Sequence, residues 1–284
     1  MIVNQQSTQR NLEGKVAVVT GGSGVLGAEF CRALAREGAK VAIFGRDLRK
    51  AVIVESELRA AGATAAAFSL DVLDRLALER ANEDISLHFG PVDILVNGAG
   101  GNSPSATTDS EYWEPESAHG TGSFFDLDPK GFRDVFDLNL LGSVIPSQVF
   151  GKAMAERGSG SIINISSMNA YRPLTKIPAY SAAKAAVTNF TQWLAVHLAQ
   201  SGVRVNAIAP GFFASEQNRS LLFDEDGELS ARAQKILAST PMGRFGRPEE
   251  LVGALLFLAS DTSSGFVSGI TIPVDGAFSA YAGV

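Results

Sequence analysis

Cysteine is nearly absent from this chain: Cys31 stands alone among 284 residues. A single thiol cannot close an intramolecular disulfide or build a cysteine-based metal site, and its place in a helix-patterned apolar stretch makes it a packing residue. Histidine is scarce as well. His88, His119 and His197 lack ligand spacing, so no catalytic metal is expected. Basic charge is in deficit, with 24 Lys and Arg against 30 Asp and Glu and a net charge of −6. That argues against a nucleic-acid partner, because phosphate neutralisation needs a basic face. No window offers the roughly 18 uninterrupted apolar residues of a membrane span, and the opening MIVNQQSTQRNLEGK has no apolar leader core. These absences lead to the expectation of a cytoplasmic protein with no membrane partner.

What is present is material for one large core: 45% hydrophobic and 19% charged residues, with 29 glycines clustered after apolar runs. Short β-branched runs alternate with helical stretches. Strands are expected at Lys15–Thr20, Lys40–Phe44, Ala65–Leu70, Ile94–Val96, Ser161–Ile165, Arg204–Ala209 and Ile270–Val274. Helices are expected at Leu26–Glu37, Leu48–Ala61, Arg75–Phe89, Gly131–Glu156, Ala179–Gln200 and Pro248–Leu258. This alternation predicts an α/β fold, a single Rossmann-type doubly wound parallel sheet with helices on both faces. One catalytic domain over 1–284 is expected. Two segments break the rhythm, a loop insertion near 101–129 and a substrate-lid segment near 212–247, and long irregular stretches of this kind are usually functional.

Thr20–Gly27 reads TGGSGVLG after a strand and before a helix. Gly21, Gly22, Gly24 and Gly27 permit positive φ and close backbone approach, and the helix N-terminus offers free N–H groups to a pyrophosphate. This predicts a dinucleotide site that includes Gly21, Ser23, Gly24, Val25 and Leu26. At the end of the second strand, an acidic side chain would bind the adenosine 2′-hydroxyl, but the tip here is Gly45 followed by Arg46, whose fork suits a 2′-phosphate. NADP is thus slightly favoured, with NAD left open because Asp47 could turn inward.

Tyr180 and Lys184, at i and i+4, share one helix face. An ammonium beside a phenol stabilises the phenolate, and a phenol so tuned can protonate a ketone or deprotonate an alcohol. Ser167, thirteen positions before Tyr180, can hydrogen-bond the same substrate oxygen.

With these motifs in place, the chain resembles the short-chain dehydrogenase/reductase family over nearly its whole length. The resemblance rests on the glycine turn, Asp71-Val72, Asn97-Gly98-Ala99-Gly100, Asn139 in Asp137-Leu138-Asn139-Leu140, Ser167, Tyr180, Lys184 and Pro210-Gly211. It implies Tyr180 as general acid/base, Lys184 as the residue that lowers its pKa and holds the nicotinamide ribose, Ser167 as the group orienting the substrate oxygen, and Asn139 as the holder of a relay water. It also implies that Asp71 and Val72 meet the adenine, that Asn97, Gly98 and Ala99 line the adenosine side, and that Pro210, Gly211, Phe213 and Ser215 cover the nicotinamide, Phe213 through its backbone. A homotetramer is implied too. One departure is that Val25 takes the sixth place of the turn, where the family has glycine, and Gly24 stands one place earlier.

Within the family the chain looks similar to the D-mannonate oxidoreductase/fructuronate reductase-like group. The segments carrying this are GGSGVLG, Asn97–Asn102, Ala106–Asp109, Phe125–Pro129, Ser166–Tyr180, Pro210–Arg219 and Ser279–Val284. A sugar-acid substrate would need a cation for its carboxylate and polar groups for its hydroxyls. Asn102, Asn169, Lys176, Gln217 and Arg219, with Arg172 and Asn218, lie in the segments expected around the nicotinamide. Alternative readings are a gluconate 5-dehydrogenase-like or 3-oxoacyl reductase-like enzyme, or a dinucleotide-binding regulator without turnover. Retention of Ser, Tyr and Lys together counts against the regulator.

Overall fold

The structure is a computed structural model, which describes residues 11–113, 122–214, 222–223 and 227–283. Seven parallel strands form one sheet in the order β3-β2-β1-β4-β5-β6-β7. The strands are β1 (Val16–Thr20), β2 (Lys40–Gly45), β3 (Ala65–Ser69), β4 (Ile94–Asn97), β5 (Gly160–Ile165), β6 (Val203–Pro210) and β7 (Thr271–Val274). The main helices are α1 (Val25–Arg36), α2 (Leu48–Ala60), α3 (Arg75–His88), α4 (Pro129–Phe136), α5 (Gly142–Arg157), α6 (Pro178–Leu198), α7 (Ala231–Ala238) and α8 (Val252–Ala259).

The expected doubly wound arrangement holds, and its cause is visible in β1. All five side chains are buried, as a strand covered on both faces requires. Ala17 and Val19 pack with α1, α2 and α8, where Phe30, Cys31, Leu34, Val54 and Leu255 meet. Val16 and Val18 face the opposite layer, where Leu78 of α3, Phe150 of α5 and Leu194 of α6 meet Phe44. Cys31 is buried and free, as expected. Strand order reverses between β1 and β4, so the crevice beyond their carboxyl ends is where such a sheet places a ligand.

Two elements differ from the pattern-based expectation. The helix expected across 131–156 is interrupted by a π-turn at Asp137–Leu141. Asn139 is responsible: its side-chain amide donates to the Val135 carbonyl at 2.8 Å and so satisfies a group that the wider turn releases. The irregular segment after β6 contains α7, too short to announce itself by periodicity. Among the described residues, no helix is long and apolar enough to cross a membrane.

Candidate active site

The crevice at the β1/β4 reversal is a groove of about 760 Å³. Of the residues expected at a dinucleotide, it is lined by Gly21, Ser23, Gly24, Val25, Arg46, Asp71, Val72, Gly98 and Ala99. The glycine turn is built more economically than expected. Gly21 alone of its four glycines adopts positive φ, at 66°. Gly27 is required for closeness instead, since a Cβ there would collide with the Gly21 carbonyl. Gly24 is the N-cap of α1 in extended backbone, with no side-chain cap and no acidic residue in the first turn. The amides of the first turn therefore point into the groove without a competing acceptor, which suits a pyrophosphate. Val25, the departure from the family turn, is the first helical residue and lines the groove. Thr20 holds the facing wall by accepting from the Gly98 and Ala99 amides at 3.0 and 3.2 Å.

At the adenosine end, Asp47 lines the groove. Its carboxylate caps α2 through the Arg49 amide at 3.0 Å and pairs with the Arg49 side chain, whose bond holds it below the usual carboxylate range. Arg46 is exposed at the rim, and Lys50 lines the groove beside it. The sequence reading missed Lys50; its place on the first turn of α2 was the available signal. Asp71 accepts from the Leu73 amide through one oxygen, at 3.0 Å.

Two expected groove residues are placed otherwise. Leu26 packs on the core beneath α1, because it falls on the inner face of that helix. Asn97 is fully buried, and its amide donates to Ser147 Oγ at 3.0 Å and Asn164 Oδ1 at 2.8 Å. As the last residue of β4 its side chain points through the sheet toward α5, so it braces the crevice and does not line it. The Phe213 side chain is buried against a separate cavity of about 350 Å³ with Thr240, Met242 and Val274, and its implied role is through the backbone. Pro210 ends β6, and Gly211 donates to the Val274 carbonyl at 3.0 Å. Ser215, Gln217, Asn218, Arg219 and His119 lie outside the described residues.

The catalytic candidates converge on the N-terminal half of α6. Lys184 is buried, and its Nζ donates to the Ile165 carbonyl at 2.8 Å and lies 5.6 Å from the centre of the Tyr180 ring. Ser167, just beyond β5, stands close enough to Tyr180 to pull its phenol down. Its oxygen also accepts from the Asn169 amide at 3.2 Å. Gly100 joins this cluster to the groove: a Cβ there would stand 2.7 Å from Asn139 Oδ1 and 3.1 Å from Lys184 Nζ. Asn139 grips Gly101 by both its amide and its carbonyl, at 2.7 and 3.2 Å, and so fixes the start of the 101–129 segment.

Burial sets the electrostatics of the pair. Burial pushes the Tyr180 phenol above its ordinary value, and the opposing pull comes from Ser167. The Lys184 Nζ is bound to Ile165 and lies over the Tyr180 ring. Burial also brings Lys184 itself down to about 8.

Among the substrate candidates, Asn102 is exposed and donates to Thr107 within its own loop at 2.9 Å. Asn169 is 4% exposed and its Oδ1 has no partner, an uncompensated burial that invites a ligand donor. Lys176 sits at φ 71°, a strained left-handed position that costs roughly 1–2 kcal/mol, and its carbonyl is held by the Thr108 amide at 2.8 Å. It lines a further cavity with Arg172, Arg232, Lys235 and Glu111. The last three were missed, because nothing local marks charges on a short helix as convergent. Among the described residues, no group of His, Cys, Asp and Glu could hold a metal ion.

Residues 15–226 match the short chain dehydrogenase family model. The oxidoreductase UxuB of Bacillus subtilis (strain 168), itself uncharacterized, is 58% identical over 96% of this chain and 98% of its own length. A Haemophilus influenza structure with bound NAD, whose suggested identity is D-mannonate oxidoreductase, is 51% identical with a TM-score of 0.93, covering 97% of this chain and 98% of that one. A gluconate 5-dehydrogenase from Burkholderia cenocepacia J2315, in complex with NADP and tartrate, is 31% identical with a TM-score of 0.81, covering 96% and 98%. The glycine turn, the groove that it opens and the Ser–Tyr–Lys cluster beside it are therefore those of a known enzyme class: this chain belongs to the short-chain dehydrogenase family and is an NAD(P)-dependent oxidoreductase.

Proposed function

We propose that the enzyme interconverts a six-carbon keto-acid sugar and its aldonate, D-fructuronate and D-mannonate, by hydride transfer with nicotinamide. The observation that carries this reading is the Ser167–Tyr180 pair, one helical turn from buried Lys184, with the cationic Arg172–Lys176 loop between Ser167 and Tyr180 in the chain. The likeness to the H. influenza structure supports the substrate.

The groove residues would hold the dinucleotide, whose nicotinamide supplies or accepts the hydride at the ketone carbon. In the reductive direction, the Ser167 and Tyr180 hydroxyls donate to the ketone oxygen and stabilise the charge that develops there. Tyr180 then gives its phenolic proton to that oxygen as the alcohol forms, and takes it back in the oxidative direction. Lys184 holds positive charge below the phenolate and completes the relay. The Asn139 backbone carbonyl, which accepts from Ser143 at 3.0 Å, lies within the π-turn as the anchor for the relay water. Asn169, Lys176 and, from outside the described residues, Gln217 and Arg219 are assigned to the substrate.

The test is a panel of ketouronates and aldonates with NAD and NADP, followed by absorbance of the reduced nicotinamide. D-fructuronate should be the best ketone of the panel. Turnover of 5-keto-D-gluconate with none of D-fructuronate would replace this substrate by the gluconate one, and no sugar-acid turnover would remove the reading.

We further propose a cytoplasmic homotetramer of single-domain subunits. Trp193 and Val196 are 57% and 79% exposed on the outer face of α6, where Trp193 stacks on His197 at 4.9 Å, and an apolar patch of this kind suits a helix–helix interface. Light scattering on the purified protein decides the assembly, and a monomer would overturn it.

A further inference from the structure

The cavity containing Lys176 carries an inference that deepens, and rests on, the sugar-acid reading. It measures about 450 Å³, within the range of roughly 300–1,000 Å³ common to small-molecule sites. Three separate parts of the chain supply its charges, the Arg172–Lys176 loop before α6, the exposed face of α7, and Glu111 from the insertion, and Phe212 and Phe278 complete the wall. Four cations line it, Arg172, Lys176, Arg232 and Lys235, against one anion, Glu111. That excess stands out in a chain whose net charge is −6.

The cations are not equivalent. Arg172 is tied to the Ser279 carbonyl at 3.1 Å. Lys235 is paired with Glu111 at 2.8 Å across 124 residues of sequence. Lys176 and Arg232 have no side-chain partner among the described residues. Glu111 is thus a carboxylate already seated in the pocket, and Lys235 and Lys176 hold it below its ordinary carboxylate range. The pocket stabilises one carboxylate from the protein itself and keeps two cations in reserve.

We infer that this cavity is the carboxylate subsite of the substrate, in which Lys176 and Arg232 receive the sugar-acid carboxylate while Glu111 holds Lys235 and limits the affinity. An aldonate enters with its charged end against Lys176 and Arg232, and its chain runs along the loop toward Ser167 and Tyr180. A neutral polyol gains nothing from the two cations. Glu111 sets a ceiling on binding, because its own charge opposes a second carboxylate in the same pocket. The insertion therefore contributes to specificity by placing Glu111, and by holding Lys176 through the Thr108 amide.

Calorimetric titration of the enzyme–dinucleotide complex with D-mannonate, D-gluconate and neutral D-mannitol tests the assignment without turnover. Wild type should bind both aldonates at least tenfold tighter than the polyol. Lys176→Gln and Arg232→Gln should each erase most of that preference, and both positions are surface-accessible, so folding is monitored by Tm alone. Glu111→Gln should tighten D-mannonate binding several-fold, the direction opposite to the loss of a structural latch. Retention of the aldonate preference in the Lys176→Gln/Arg232→Gln double variant would overturn the subsite, and weaker binding in Glu111→Gln would overturn its limiting role. Carboxylate preference without turnover of any sugar acid leaves the subsite standing and removes the proposed reaction. Turnover of D-fructuronate with unchanged preference in the double variant does the reverse.

Discussion

The Lys184 ammonium lies 5.6 Å from the centre of the Tyr180 ring and donates to the Ile165 carbonyl, at 2.8 Å, not to the tyrosine hydroxyl. Burial raises the phenol above its ordinary value, with Ser167 pulling the other way. Alcohol oxidation, which needs the phenolate, should accelerate as pH rises from 7 toward 10, whereas ketone reduction should not. Tyr180→Phe should lower kcat by about 10²–10⁴ in both directions with dinucleotide affinity unchanged. Steady-state rates across pH, with fluorescence titration of the cofactor, check both. A flat oxidative profile would contradict the assignment of Tyr180.

Burial of Lys184 also leaves a mark on stability. Its pKa falls from 10.5 to about 8 in the folded chain. Between those values the unfolded chain binds more protons than the native one, so stability rises with pH across that window, and below pH 8 the full penalty is present. That penalty is about 3 kcal/mol by linkage. Lys184→Met should therefore raise the Tm of the cofactor-free protein at pH 7, by roughly 5 °C, and the gain should shrink toward pH 10.5. Calorimetry at both pH values measures it, and a gain independent of pH would point to packing alone.

The glycine turn separates closeness from conformation. At Gly27 a Cβ would strike the Gly21 carbonyl, while at Gly24 the nearest atom is 3.3 Å away. Gly27→Ala should weaken dinucleotide binding by about tenfold or more, the equivalent of 1.4 kcal/mol, and Gly24→Ala should be far milder. Equal losses at the two positions would mean that the turn path differs from the one described.

Asn97 provides the matching test on the scaffold. Its amide bridges Ser147 of α5 and Asn164 of β5 in the interior. Asn97→Ala leaves buried partners unsatisfied and should cost about 2–3 kcal/mol, seen as a Tm lower by roughly 5–10 °C, with KM for the dinucleotide little changed in the folded fraction. A selective rise in that KM would return Asn97 to the groove.

Cofactor preference turns on Arg46 and Lys50 at the rim, with Asp47 held in the α2 cap. The Asp47 carboxylate lines the groove but is paired with Arg49, which offsets its repulsion of a 2′-phosphate. Arg46→Ala should raise KM for NADP about tenfold, worth 1.4 kcal/mol, and leave KM for NAD nearly unaltered. Equal effects would show that Arg46 does not read the phosphate.

The parallel sheet, the glycine turn and the Ser167–Tyr180–Lys184 set were legible in sequence because each is local. Buried strands appear as apolar runs, helix faces as i, i+4 spacing, and a tight turn as clustered glycine. What the tertiary structure decided is what depends on direction and on distant neighbours. Asn97 faces α5 because of the strand's register against β5, Leu26 faces the core, and the π-turn follows from one amide of Asn139 reaching Val135. Glu111 and Lys235 meet across 124 residues, a pairing that no short-range pattern encodes. Tyr180 and Lys184 could be named from their spacing, but the direction of their pKa shifts is a property of desolvation, which exists only once the chain has closed around them.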